Sequence, residues 1–247
     1  MDLGLSGRVY LVTGGSKGLG FAAAQALVAD GAKVVLSSRS QDNVDAAVAQ
    51  LGENAVGVAG DNADTGLAER LVDTATARFG RLDGVLVSVG GPPIGDVLDK
   101  TEQEWSDAFS SIFLGTLRLV RRVVQDLGDG GVIGLVLSTS VREPLDHLAI
   151  SNGLRPGLAG VAKTLSNEVG PRGIRVVSLM PGSIKTGRNA VLFADPAALA
   201  ARTESVALRR IGEPEEFGKV AAFLLSPAAS YVTGTVVSVD GGAIKAI

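Results

Sequence analysis

The chain has 247 residues, with 23 Lys and Arg against 26 Asp and Glu, a formal net charge of −3, and 46% hydrophobic residues. That length suits one large α/β domain or two small ones, and the apolar fraction is too high for a disordered chain. The near-neutral balance, with no run of Lys or Arg beyond two, argues against nucleic acid or an anionic membrane as main partner; the lack of Cys excludes disulfides and thiolate metal sites, and one His argues against a histidine metal centre.

Residues 1–15 show no basic segment followed by a cleavable apolar one. No apolar run reaches about 18 residues, so a cytoplasmic protein without a membrane partner is expected. The first strand candidate, Arg8–Thr13, runs directly into Thr13-Gly14-Gly15-Ser16-Lys17-Gly18-Leu19-Gly20 and a helical run, Leu19–Asp30. Glycines at 14, 18 and 20 let the backbone turn sharply and approach a pyrophosphate. The helix N-terminus then offers free N–H groups and a partial positive charge to the anion. A strand, a glycine turn and a helix in this order point to dinucleotide binding. A Walker-type phosphate loop fits worse, because no Gly-Lys-Ser/Thr follows the turn.

The second strand, Lys33–Ser38, ends in Ser37-Ser38-Arg39-Ser40. NAD sites place an acid at this turn for the ribose 2′-hydroxyl. Here there is none, and Arg39 and Lys17 can both pair with a 2′-phosphate, which favours NADP(H) over NAD(H). The pattern continues with helix Gln41–Leu51, strand Ala55–Ala59, helix Thr65–Phe79, strand Gly84–Val89 and a long helix, Thr101–Leu127. Asp61 and Asn62, just past the third strand, fit either an acceptor for the adenine amino group or a helix N-cap. Strand Val132–Ser138, helix Leu154–Val169, strand Arg175–Met180, helix Glu213–Leu225 and strand Thr235–Val239 complete the series. Gly31, Gly52, Gly80 and Gly170 sit where helix C-caps would fall. The strands are apolar without alternation, as strands covered on both faces are, so one domain over residues 1–247 with a parallel sheet between two helix layers is predicted. The irregular, Ala-rich stretch 185–210 is a candidate lid.

These motifs, with Glu104-Trp105, Ser138–Val141, Pro181-Gly182-Ser183-Ile184-Lys185-Thr186, Arg210–Glu216, Thr233-Gly234 and Asp240-Gly241-Gly242, make the chain resemble a classical short-chain dehydrogenase/reductase over its whole length, and within that family the 3-oxoacyl-carrier-protein reductase type. The resemblance implies a Rossmann-type doubly wound sheet of seven strands in order 3-2-1-4-5-6-7. It implies cofactor contacts from Gly14, Ser16, Lys17, Gly18, Leu19, Gly20, Ser38, Arg39, Asp61, Asn62, Gly90, Pro181, Gly182, Ile184 and Thr186. It also implies a homotetramer or homodimer joined through helices 101–127 and 151–170 and the last strand. Where the family carries Tyr-x-x-x-Lys, this chain has Ser151-Asn152-Gly153-Leu154-Arg155, and Ile112 falls at the family's Asn. The family's Asn-Asn-Ala-Gly is here Ser88-Val89-Gly90-Gly91, followed by Pro92-Pro93. Ser140 fits the family Ser, with Ser138 as the other register.

The candidate catalytic set is therefore Ser140, Ser151, Arg155 and His147. A serine hydroxyl is far too weak an acid to replace a phenol. Arg155 can hold the nicotinamide ribose and stabilise an alkoxide. His147, four residues before Ser151, is a candidate general acid or a solvated loop residue. Three functions remain open: an NADP(H) oxidoreductase acting on a carbonyl or a conjugated or imine carbon of a small substrate, a degenerate member that binds NADP(H) without turnover, and non-redox chemistry on the same scaffold.

Overall fold

The computed structural model describes residues 2–190 and 194–246. Its seven strands are β1 (Val9–Val12), β2 (Lys33–Ser38), β3 (Ala55–Ala59), β4 (Gly84–Val87), β5 (Val132–Val136), β6 (Arg175–Pro181) and β7 (Thr235–Val239). They form one parallel sheet in the order β3-β2-β1-β4-β5-β6-β7. Side chains on successive residues of a strand point to opposite faces. Val9 and Leu11 of β1 accordingly enter one core while Tyr10 and Val12 enter the other.

The first core is covered by α3 (Leu67–Phe79), the segment from α4 (Glu102–Ala108) to α5 (Gly115–Asp126), and α6 (Ala149–Val169). The second is covered by α1 (Gly18–Ala29), α2 (Gln41–Leu51) and α8 (Pro214–Leu225), while α7 (Pro196–Ser205) lies in the stretch before α8. No helix among the described residues is long and apolar enough to cross a membrane.

β1 pairs with β2 on one side and β4 on the other. The connections diverge there, which opens a crevice beyond the strand ends. The Thr13 hydroxyl clips its two walls: Oγ1 donates to the Ser88 carbonyl at 3.2 Å and accepts from the Ser88 N–H at 3.0 Å.

Several strand and helix ends fall one or two residues inside their expected bounds, and four departures are larger. The helix expected over 101–127 is interrupted by a π-helical stretch, Phe109–Leu114. Ser111 and Thr116 hydroxyls donate to the Asp107 and Ile112 carbonyls, at 3.0 and 2.6 Å, and compete with the backbone ladder. Helix α6 starts at Ala149 rather than Leu154, so Ser151 lies inside its first turn and is not an N-cap; Leu148 holds that position. Gly170 is right-handed and continues into a 3-10 turn, and Gly173, at φ 69°, supplies the left-handed stop. Residues 185–210 hold a 3-10 turn, Gly187–Asn189, and α7, and residues 191–193 of that expected lid lie outside the described residues.

Candidate functional site

A cleft of about 1370 Å³ runs along the C-terminal ends of the strands. Its first end is the turn between β1 and α1. Gly14 and Gly18 have φ of 57°, the left-handed region. A Cβ on Gly14 would stand 2.3 Å from the Ser88 carbonyl oxygen, and one on Gly20 would stand 2.3 Å from that of Gly14. The turn can close this tightly only without side chains. No side chain caps α1, so the N–H groups of its first turn are left for an anion.

Ser16, Lys17, Gly18, Leu19, Ser38 and Arg39 all line this end. Lys17 and Arg39 are exposed, and neither forms an ion pair among the described residues. Ser40, next to Arg39, is used locally and caps α2 by accepting from the Asn43 N–H. Asp61 and Asn62 also line the cleft. One Asp61 carboxylate oxygen accepts from the Ala63 N–H at 2.8 Å in a local turn, and its other oxygen has no partner among the described residues.

The second end lies between the loops after β4, β5 and β6. Pro181, Gly182, Ile184 and Thr186 line it from the β6 side, and Gly90 from the β4 side. A Cβ on Gly182 would come within 2.7 Å of the Asp240 backbone, so glycine lets the β6 loop lie against the chain leaving β7. No heavy atom stands within 4 Å of the space where a Gly90 Cβ would sit.

Ser138, Thr139 and Ser151 form the wall beyond β5. Ser140 is not on that wall. It is buried behind it, with its Oγ 3.3 Å from the Ser151 Oγ, while its N–H donates to Ser138 Oγ at 3.2 Å. The serine facing the cleft is thus Ser138, the register set second in the sequence reading. Ile112 is buried at the cleft floor.

His147 is not brought to the cleft. Its backbone is left-handed, at φ 58°, and its Nδ1 lies 2.9 Å from an Asp96 carboxylate oxygen on the exposed surface. Neither His nor Tyr lines the cleft among the described residues.

Arg155 lies in the second turn of α6 and is 5% exposed. Its Nη1 donates to the Val136 carbonyl at 2.7 Å and its Nη2 to that of Val89 at 3.0 Å, which ties the ends of β5 and β4 together. Burial, and then the charge of Arg188, push its pKa down to about 10. It stays protonated at neutral pH. A guanidinium has five N–H donors, so donors remain for a ligand.

Sequence reasoning missed Arg188, an exposed residue whose guanidinium reaches across the cleft mouth to donate to the Gly91 and Pro92 carbonyls at 2.8 and 2.9 Å. Ile244, from the C-terminal segment, and Arg202 of α7 also line the cleft unforeseen. The only signal in the sequence was the position of Arg188 two residues beyond Thr186.

Known proteins share this fold and much of this sequence. Residues 14–243 match the family model described as enoyl-(acyl carrier protein) reductase. The human protein "Dehydrogenase/reductase SDR family member 4" is 38% identical over 245 residues, covering 96% of this chain and 88% of its own length. Human "Dehydrogenase/reductase SDR family member 2, mitochondrial" is 36% identical over 242 residues, covering 96% and 86%. Among solved structures, the short-chain dehydrogenase/reductase SDR:glucose/ribitol dehydrogenase of Brucella melitensis superposes with a TM-score of 0.94 at 29% identity, over 100% of both chains. L-sorbose reductase of Gluconobacter frateurii, complexed with NADPH and L-sorbose, superposes with a TM-score of 0.93 at 28% identity, also over 100% of both.

Proposed function

Because this chain belongs to the short-chain dehydrogenase/reductase family, we propose that it is an NADP(H)-dependent oxidoreductase with an altered proton-transfer site. The observation that carries this reading is one continuous cleft. It joins a glycine turn with free N–H groups and two unpaired cations to a wall of serine hydroxyls beside a buried guanidinium.

Gly14 to Gly20 and the N-terminus of α1 hold the pyrophosphate, and Lys17 and Arg39 meet the 2′-phosphate. NADPH in the similarly folded sorbose reductase supports this choice of cofactor. Asp61 and Asn62 face the adenine, and Gly90, Pro181, Gly182, Ile184, Thr186 and Arg155 surround the nicotinamide riboside. When bound, the dinucleotide supplies or accepts the hydride.

The chain's own part is to place and polarise the substrate. Ser151 and Ser138 donate hydrogen bonds to the reacting atom, with Ser140 holding Ser151 from behind. The fixed charge of Arg155 stabilises negative charge developing there. With no phenol or imidazole on the wall, protons arrive through water. A conjugated C=C or a C=N bond needs less help from an acid than a plain ketone, so such substrates suit this wall best. The assembly is a homotetramer or homodimer, with Phe109 of the π stretch, 41% exposed, on the surface that meets a partner subunit.

A second reading, binding of NADP(H) without turnover, is favoured by that same lack of His and Tyr along the cleft. Titration with NADPH and NADH, followed by a turnover screen over enones, imines and diketones at the NADPH absorbance band, tests both. Tight NADPH binding with oxidation by any of these supports the enzyme. Tight binding with none supports the second reading, and equal affinity for NADH sinks the assignment of Lys17 and Arg39.

A further inference from the structure

Two guanidinium groups meet at one loop of the cleft. Arg155, from α6, holds the Val89 carbonyl, and Arg188, from the segment after β6, holds those of Gly91 and Pro92. Only Gly90 separates the residues they grip, and the two charges are close enough for Arg188 to depress the pKa of Arg155. Every hydrogen-bond partner of either side chain is a neutral carbonyl, and neither makes an ion pair with a carboxylate among the described residues.

For Arg155 that is an uncommon way to bury charge. Buried cations are normally matched by an anion, because desolvation is otherwise uncompensated. Arg155 is 5% exposed, and a second cation beside it makes the imbalance worse. An anion brought in from outside the chain would supply the missing counter-charge.

The local backbone is shaped for it. A Cβ on Gly91 would stand 2.1 Å from the Arg188 Cζ, so the guanidinium lies directly on the backbone there. Apart from its chain neighbours, no heavy atom stands within 4 Å of where a Cβ of Gly90 would sit, which leaves open space on the loop that both guanidinium groups hold. Lys17 and Arg39 stand at the other end, by the glycine turn.

We propose that the substrate is a small carboxylic acid whose carboxylate is taken by the N–H donors of Arg188 that the Gly91 and Pro92 carbonyls leave free, with the charge of Arg155 behind it and the reacting carbon turned to Ser138 and Ser151. A guanidinium suits a carboxylate because its parallel N–H groups match the two oxygens. The proposal rests on reading the cleft as an NADP(H) site, since the other anions are then the cofactor's own.

The test is calorimetric titration of the NADP+-loaded protein with levulinate and pyruvate, each against its methyl ester. The acids are expected to bind about tenfold or more tighter than the esters. Arg188→Met should bring each acid down to its ester's affinity, with NADPH affinity changed less than about twofold. Arg188→Lys, which keeps charge and loses the fork, should fall between. Arg188 is on an exposed turn, and an unchanged melting temperature shows that the variants are folded.

Equal binding of acid and ester, or no binding of either at about 10 mM, overturns the proposal. So does a loss of NADPH affinity of about tenfold in Arg188→Met without an acid-to-ester difference in the wild type, which gives Arg188 to the pyrophosphate. If NADPH itself fails to bind the wild type, the cofactor reading falls. The acid-to-ester comparison on the unloaded protein then still decides the carboxylate question.

Discussion

Replacing Arg155 by Met asks whether a buried guanidinium is there for the fold or for a ligand. Its displaced pKa, about 10, corresponds to a cost of about 3 kcal/mol for keeping the charge in the interior. Against this stand two hydrogen bonds to the Val136 and Val89 carbonyls, worth about 1.5–3 kcal/mol each for a charged donor. Met keeps most of the aliphatic stem, so little packing is lost. The terms nearly cancel, leaving a loss of about 0–3 kcal/mol. For a domain of this size that lowers the melting temperature by at most roughly 12 °C. NADPH affinity should fall much more in proportion, by about tenfold to 150-fold for one lost charge-assisted bond to the ribose. Differential scanning calorimetry and fluorescence titration read the two effects separately. A melting temperature lower by more than about 15 °C with NADPH affinity intact would refute the reasoning and make Arg155 a strut between β4 and β5.

Other substitutions probe other parts of the cleft. Arg39→Ala should weaken NADPH by about 5- to 150-fold while leaving NADH unchanged, read by fluorescence titration with each cofactor; a uniform loss for both would remove the 2′-phosphate contact. Gly20→Ala places a Cβ 2.3 Å from the Gly14 carbonyl oxygen, so it should cost about 1–3 kcal/mol in chemical denaturation and abolish NADPH binding, and a wild-type affinity would show that the turn is not the phosphate cradle. The Glu104 carboxyl, held by the Thr101 backbone N–H and then Lys100, and that of Glu216, held by Arg210 and then the Glu213 N–H, both have pKa values pushed down to about 2. Because these folded values lie below the ordinary one, the stabilisation is complete above the ordinary carboxylate range and is lost as pH falls towards 2. Melting temperature should drop across that window, and a curve for Glu104→Gln as steep as the wild type would rule out that site as a contributor.

Much of the fold was legible because the strands are uniformly apolar and bounded by glycine. β2, β3 and β7 begin and end where the sequence places them. The first turn of α6 was hidden by Gly153 and Pro156, which suppress any helical signal, although Pro156 is accommodated inside the helix. The π stretch follows from hydroxyls competing for carbonyls, and from Gly115, where a Cβ would lie 2.3 Å from the Asn62 carbonyl oxygen. Periodicity carries no trace of either.

At the site, the glycine turn could be read because it is a property of backbone and spacing. The side chains that depend on a reach through space could not. Nearness in sequence suggested His147 as a partner for Ser151, but one left-handed residue turns it to Asp96. Distance in sequence concealed Arg188, which meets Gly91 across 97 positions. Ser140 and Ser138 differ by a single strand-end step, and only the path of the chain after β5 decides which faces the cleft.

The Thr13 hydroxyl, acting as donor and acceptor to Ser88 at once, has a consequence for how a ligand arrives. It fixes the width of the crevice between the β1 and β4 loops through two bonds that form when the sheet folds. The crevice beside the glycine turn is thus preorganised, and the entropy of ordering it is settled before any encounter. The half around Arg188 depends on a side chain lent by the segment after β6. A molecule spanning the cleft therefore meets a width set by the sheet at one end and a wall that hangs on one exposed side chain at the other.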